Sequence, residues 1–449
     1  MLSFLTTAGL ILIGVLLFEL IILFHEGGHF VAAKLSGVKV NEFSLGMGPK
    51  LFSFKKGETT YSLRLLPIGG FCAMEGEDED SQNPRAFNNA KIFKRMIIIV
   101  AGAAMNILLG LILMLVTLLP SESFSTNHIH SFVPQSFSAN CGLEVGDKIV
   151  SVNGYKVNNS MDLSYAFAKL KVQNVDGDSL QIYKQDCANA LFNLFRDNDF
   201  YGELSEEEFQ NAYSELQTLV SNVNISNDYS EADTALSDGV KALNSYFKTD
   251  SFEIPEISVR DTRMRFRTDL TVERNGERLT LEDVDFYTYT TADDPEPKMS
   301  IDFYSTAKDK TFLTLIQQTG SQTVSVVRMV ADSLWGLVTG QFGINDVSGP
   351  IGAASATVEV AQQGLKSSFG DAVLNIVYIM MVITVNLGVV NMLPFPALDG
   401  GRFVFLLIEA IFRKPIPRKA EAIVNAVGLG LLLLFIFIIS LKDIWMLIL

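Results

Sequence analysis

Four long apolar runs divide this chain. They cover Leu2 to Phe24, broken only by Glu19, then Met96 to Leu119, Ala372 to Leu393 and Ala422 to Leu441. Each has about the twenty residues that carry an α-helix across roughly 30 Å of hydrocarbon. They predict spanning helices in the segments 1–37, 91–120, 371–412 and 413–449. The first run lacks a basic start and a small-residue cleavage site, so it reads as a retained span and not as a signal peptide. Between the first two runs the period changes. Val38 to Leu45 and Tyr61 to Leu65 alternate as strands do, punctuated by Gly46-Met47-Gly48-Pro49 and Pro67-Ile68-Gly69-Gly70. A small β-region is expected over 38–90, with its polar part from Glu75 to Asn89 mobile. Residues 121–305 lack long apolar runs. They predict a separate α+β domain with a helix near Met161 to Leu170 and a hairpin turning at Asn275-Gly276. A long insertion, 175–263, interrupts it. Segment 306–370 reads as amphipathic or linker helices, including Thr311 to Gln341, with a break at Ser348-Gly349-Pro350-Ile351-Gly352.

Charge orients these pieces. The net charge of −15 argues against a nucleic-acid partner. Acids crowd between Ser121 and Asp309. Basic residues precede the second run (Lys91, Lys94, Arg95) and fill the loop before the fourth (Arg413, Lys414, Arg418, Lys419). The positive-inside bias puts both basic loops in the cytoplasm and the acidic domain and both termini outside. The fold class is a polytopic α-helical membrane protein with four spans in the lipid bilayer. A membrane-associated β-region and an extracytoplasmic α+β domain with a helical insertion complete it. Glu19 is either a protonated acid near the outer interface or a group facing a protein interior or water. Three cysteines make no disulfide framework. Cys141 and Cys187 share the acidic segment and could pair there, although the setting of Cys141 favours a buried thiol.

The chemistry concentrates at Phe24-His25-Glu26-Gly27-Gly28-His29-Phe30, at the end of the first run. On a helix His25 and His29 lie one turn apart on one face. Two imidazoles so placed can hold one Zn²⁺, and Glu26 between them can take a proton from the metal-bound water. The chain has only four histidines, and two fill this motif. Zinc needs a third protein ligand. His128 and His130 fall on the far side of the membrane. Asp399, the only acid between Asp371 and Glu409, falls on the same side as His25, in Asn391-Met392-Leu393-Pro394-Phe395-Pro396-Ala397-Leu398-Asp399-Gly400-Gly401. Taken alone it would read as a helix N-cap. Beside a metal motif at a proline-broken helix it reads as a ligand.

These features together resemble the site-2 protease family of intramembrane zinc metalloproteases, in its bacterial regulator-of-sigma-E type. The resemblance rests on His25-Glu26-x-x-His29, on Asn391-x-x-Pro394-x-Pro396-x-Leu398-Asp399-Gly400, and on Cys141 to Gly154, which is similar to the signature of PDZ domains. It covers nearly the whole chain. It implies zinc on His25, His29 and Asp399, with Glu26 activating water. Asn391, Pro394 and Pro396 would contact unwound substrate, and Gly46 and Gly48 would form a glycine loop of the β-region. It further implies single-span membrane substrates (anti-sigma factors or signal-peptide remnants), an upstream site-1-type protease and the bacterial cytoplasmic membrane. The chain departs from some members in having a single PDZ-like segment and the insertion. The alternative is a proteolytically inactive membrane adaptor that binds peptides through its PDZ domain. A transporter would need paired broken helices in two repeat halves, which are absent from the sequence.

The insertion carries one further candidate. Asp197-Asn198-Asp199-Phe200-Tyr201-Gly202-Glu203-Leu204-Ser205-Glu206-Glu207-Glu208 follows an EF-hand loop at most positions. Asp197, Asp199, Tyr201, Glu203 and Glu208 would supply the calcium ligands, with Tyr201 standing where an oxygen donor is usual. Ser205-x-x-Glu208 equally makes a capping box that needs no calcium.

Overall fold

The computed structural model describes all residues except 1, 78, 80, 134–135, 175–178, 197–204, 250, 256–263, 292–293, 342, 344–346, 348, 415 and 449. Two compact units result: Met1–Glu122 with Asp309–Leu449, and Ser123–Lys308.

Helix α1 (Leu2–Ser36) runs unbroken through the first apolar run and the His-Glu-Gly-Gly-His stretch. It ends in a Schellman turn. Gly37 N donates to Lys34 O and Val38 N to Ala33 O, with Gly37 at φ +83, where a side chain would be strained. Lys94 donates to the Ser36 carbonyl at 2.8 Å, a cation at the helix C-terminus. The expected β-region is one antiparallel hairpin, β1 (Val40–Lys56) and β2 (Thr59–Met74). Its strands extend well beyond the alternating stretches. Beyond Gly46 and Gly48, both at positive φ, the pairing shifts, and the distal half exposes Leu51, Phe52, Phe54, Leu63 and Leu65. An apolar tip of this kind suits a lipid interface. Between Glu75 and Asn89, where mobility is expected, the described residues make several hydrogen bonds. Phe87 N donates to Glu75 O, Lys39 N to Arg85 O, and the Asn89 amide to the Ser81 and Asn83 carbonyls. Local polarity concealed these bonds because their partners lie on the hairpin and across the loop.

Helix α2 (Ile92–Leu118) leads to the second unit. There β3 (Ser123–Phe132), α3 (Phe137–Asn140), β4 (Lys148–Val152), β5 (Tyr155–Lys156), α4 (Ser160–Ala168) and β6 (Val172–Asn174) precede the insertion. The insertion is a bundle of α5 (Ser179–Arg196), α6 (Glu206–Asn224) and α7 (Tyr229–Phe247), with its own core of Leu191, Phe195, Leu216, Val223 and Leu236. Then β7 (Met264–Arg274), β8 (Glu277–Thr291), β9 (Asp294–Ser300) and β10 (Phe303–Asp309) complete a sheet of order β10-β3-β4-β7-β8-β9, with β5 on β4 and β6 on β7. Asn275 and Gly276, both at positive φ, make the expected tight turn. Buried Asp147 takes two bonds from Arg274 and one from Glu144 N, which fixes the turn before β4. Cys141 and Cys187 are both free. Cys187 is buried in the bundle core and Cys141 packs against the sheet core.

Back in the first unit follow α8 (Phe312–Val338), α9 (Pro350–Leu365), α10 (Phe369–Asn391), α11 (Asp399–Phe412) and α12 (Arg418–Ile448). Among the described residues four helical segments are long and apolar enough to cross a membrane: Ile13–Ser36, Ile92–Leu118, Phe369–Asn391 and Lys419–Met446. The chain is a multi-pass membrane protein. The third expected segment is two helices, because Pro394 and Pro396 cannot continue α10. Close packing of α1 on α2 depends on Gly28, where a Cβ would stand 2.3 Å from the Ala101 carbonyl oxygen. At the other end of the bundle Asp443 of α12 accepts from Gly349 N and Gly352 N, pinning the start of α9.

Candidate metal centre

Three side chains from two helices converge on one point. His25 and His29 project from α1, and Asp399 is the first residue of α11. His25 Nε2 lies 3.4 Å from His29 Nε2 and 3.4 Å from Asp399 Oδ2, and His29 Nε2 lies 3.3 Å from Asp399 Oδ2. The donor atoms thus form a nearly equilateral triangle. Around a tetrahedral ion with bonds of about 2.0–2.1 Å, neighbouring ligand atoms stand about 1.6 bond lengths apart, roughly 3.3–3.4 Å. The set of two imidazoles and one carboxylate also matches the composition of catalytic zinc sites, which keep a fourth position open. The residues therefore fit a zinc ion.

The remaining ring nitrogens are held so that these lone pairs face inward. His29 Nδ1 lies 2.8 Å from the Ile98 carbonyl oxygen of α2, which only an Nδ1–H can satisfy, so Nε2 is the free acceptor. The Asn106 amide of α2 lies 3.2 Å from His25 Nδ1. With the amide nitrogen toward the ring, Asn106 Oδ1 is left buried without a partner. Turning the amide over gives Oδ1 the His25 Nδ1–H and again frees Nε2 for a metal. Nothing in the sequence reading assigned Asn106. The available signal was an amide inside an apolar helix, one turn after Gly102.

Gly102 supplies the room. A Cβ there would stand 2.3 Å from His29 Nε2 and 2.8 Å from His25 Cε1. Gly102→Ala should therefore weaken zinc binding by about tenfold or more, in the range typical of groups that orient ligands. Alanine is the better helix former by about 1 kcal/mol, so α2 itself should remain intact. Competition with a chelator measures the effect, and an unchanged affinity would count against this placement of the rings.

Glu26 stands half-buried on the same turn of α1. Its flank meets β2: a Cβ on Gly70 would lie 3.4 Å from Glu26 Cγ, and Gly70 pairs with Leu45 of β1. The base of the hairpin thus runs beside the site, with Gly46 and Gly48 just beyond. Arg64 binds the Gly48 carbonyl and Glu42. Burial raises the Glu42 carboxyl, but hydrogen bonds from Ser62, Arg64 and Lys50 outweigh it and hold the group at about 2, so it is charged at neutral pH. Asn391, at the end of α10, brings its amide nitrogen to 3.4 Å from His25 Nε2. Pro394 and Pro396 lie in the turn that joins it to Asp399. His128 lies on β3 in the second unit. Of the calcium candidates, Asp197, Asp199, Tyr201 and Glu203 lie outside the described residues. Glu208 closes a capping box with Ser205, and those bonds hold its carboxyl below the usual range.

Ligands of this kind, one turn apart on an apolar helix and completed from a second membrane segment, define a membrane-embedded metalloprotease. The family model described as Peptidase family M50 matches residues 13–435, and the chain belongs to that family, the site-2 proteases. It is similar to the zinc metalloprotease RasP of Bacillus licheniformis, 29% identical over 96% of this chain and 97% of the relative. It is also 28% identical to the regulator of sigma-W protease RasP of Bacillus subtilis, over 96% of this chain and 97% of the relative.

Proposed function

We propose that this chain hydrolyses peptide bonds inside transmembrane segments of single-span proteins, with zinc on His25, His29 and Asp399 and with Glu26 as the general base. The observation that carries the reading is the triangle of donor atoms with 3.3–3.4 Å edges. When bound, zinc supplies Lewis acidity and brings the pKa of a water to about 7. The protein's own groups do the rest. Ile98 O and Asn106 orient the two rings. Glu26 takes a proton from the attacking water and returns it to the leaving amine. Asn391, whose amide nitrogen lies 3.4 Å from His25 Nε2, would donate to the substrate carbonyl, and the turn containing Pro394 and Pro396 would line the approach.

A helical substrate shields its peptide bonds, so it must unwind first. The β1 edge around Gly46 and Gly48 would hold the unwound strand through main-chain bonds, which read shape more than sequence. The Ser123–Lys308 unit would act as a PDZ-type peptide binder outside the bacterial cytoplasmic membrane and admit substrates already trimmed by a site-1-type protease. The name of the Bacillus subtilis relative suggests an anti-sigma factor as one substrate class. The adaptor alternative would need Glu26 or one of the proposed ligands to be missing, and the chain carries all four residues.

The test uses the purified full chain with a single-span protein, either intact or with its outer domain removed. Mass spectrometry should map the cut within the span, faster for the trimmed form. Cuts confined to loops would overturn the intramembrane reading, and equal rates would overturn the trimming step. Orientation is checked separately by cysteine labelling from outside intact cells. A cysteine at the exposed Ser214 should react and one at Arg418 should not, and the reverse result inverts the topology.

A further inference from the structure

The turn that delivers Asp399 is strained, and its strain is held by a residue on another helix. Leu398 N donates to Phe395 O, which closes a four-residue turn with Pro396 second and Ala397 third. Ala397 has φ +72, the left-handed value that a turn of type II needs at its third position and that normally falls to glycine. Immediately after, Leu398 becomes the N-cap of α11 and Asp399 its first residue. No other residue separates the strained peptide from the ligand.

Two features of α12 meet this turn. Asn425 Oδ1 accepts from Ala397 N at 3.2 Å. Only an oxygen can accept from that N–H, so the amide orientation is fixed by chemistry. One helical turn later Gly428 is buried, and a Cβ there would stand 2.4 Å from Pro396 Cβ and 2.9 Å from Pro396 O. An amide in the apolar stretch of a spanning helix costs free energy unless it has a partner. Here it satisfies a backbone donor that no α-helix or strand could pair. On the other side of the turn the chain has no slack. A Cβ on Gly400 would lie 2.2 Å from Leu393 O, and one on Gly401 2.3 Å from Phe395 O.

We propose that Asn425 is a positioning residue for the zinc ligand Asp399, acting by holding the Ala397 peptide in its left-handed conformation. This rests on the zinc reading of the site given above. Without the Asn425 bond, Ala397 is free to return to negative φ. That rotation swings Leu398 and displaces the Asp399 carboxylate from the 3.3–3.4 Å triangle. Glycine at 397 adopts positive φ without strain, so it should make the turn independent of Asn425.

The experiment measures zinc affinity of the full chain in detergent by chelator competition, alongside cleavage of a single-span substrate. Asn425→Leu should weaken zinc binding by about tenfold, as loss of a ligand-orienting partner typically does. Adding Ala397→Gly to that variant should restore most of the loss. A residue that merely packs α12 would give a defect that Ala397→Gly leaves in place. If Asn425→Leu does not accumulate, Asn425→Ala with and without Ala397→Gly makes the same comparison with less bulk. Unchanged zinc affinity in the Asn425 variants, or a defect that Ala397→Gly does not repair, overturns the proposal while leaving the zinc site standing. A parent chain that binds no zinc overturns both.

Discussion

Glu26→Gln should bind zinc as the parent does and lose at least about a thousandfold in cleavage rate, within the usual range for a general base. The two side chains have the same shape and nearly the same helix propensity, so α1 should be undisturbed. The ligands are also untouched, because Glu26 lies between His25 and His29 and outside the donor triangle. What changes is proton chemistry: an amide cannot take a proton from water at neutral pH. Zinc content by atomic emission and cleavage of a single-span substrate provide the two readouts. Retained activity would remove Glu26 from its role. Lost zinc would mean that Glu26 is a ligand.

Removing a ligand should produce the opposite pair of results. Asp399→Ala and His29→Ala should each reduce zinc from about one ion per chain to near zero at micromolar zinc, with activity falling as a consequence. A site with two remaining ligands lacks the closed three-point hold that catalytic zinc sites use. Folding is affected much less by the first change. Asp399 sits at the first position of α11, where an acid favours the helix dipole by only about 0.3–1 kcal/mol. His29 is different. It is 8% exposed and bonded to Ile98 O, so alanine there also leaves a cavity and should lower the melting temperature of the metal-free chain. Metal-free melting curves therefore separate the two variants. Full zinc occupancy in Asp399→Ala would take Asp399 out of the site, whatever the geometry suggests.

Much of this arrangement was legible in the chain. The spans could be read because twenty consecutive apolar residues have few other uses. The tight turn at Asn275-Gly276 could be read because positive φ at both positions selects those residues. His25, Glu26 and His29 could be read because one helix fixes their relative positions whatever surrounds it. That Asp399 lies beside His25 and His29 was foreseeable only by combining two readings, its isolation among apolar residues and the side of the membrane expected for it. Between Glu75 and Asn89 polar composition did not indicate the bonds to the Arg85, Ser81 and Asn83 carbonyls.

Sequence by itself thus determined everything that depends on neighbours along the chain: the period of each element, the charge bias of the loops and the spacing of the first two ligands. Tertiary structure alone decided how closely the distant groups approach and which further groups hold them. Asn391 comes within 3.4 Å of His25 although 366 positions separate them, and Asn106 and Ile98 hold the Nδ1 of each imidazole. Asn425 supports Ala397 from another helix. Each of these depends on the direction of one polar atom in space. An amide inside an apolar run signals that a partner must exist, because an unpaired polar group is costly there, but it does not say where that partner is.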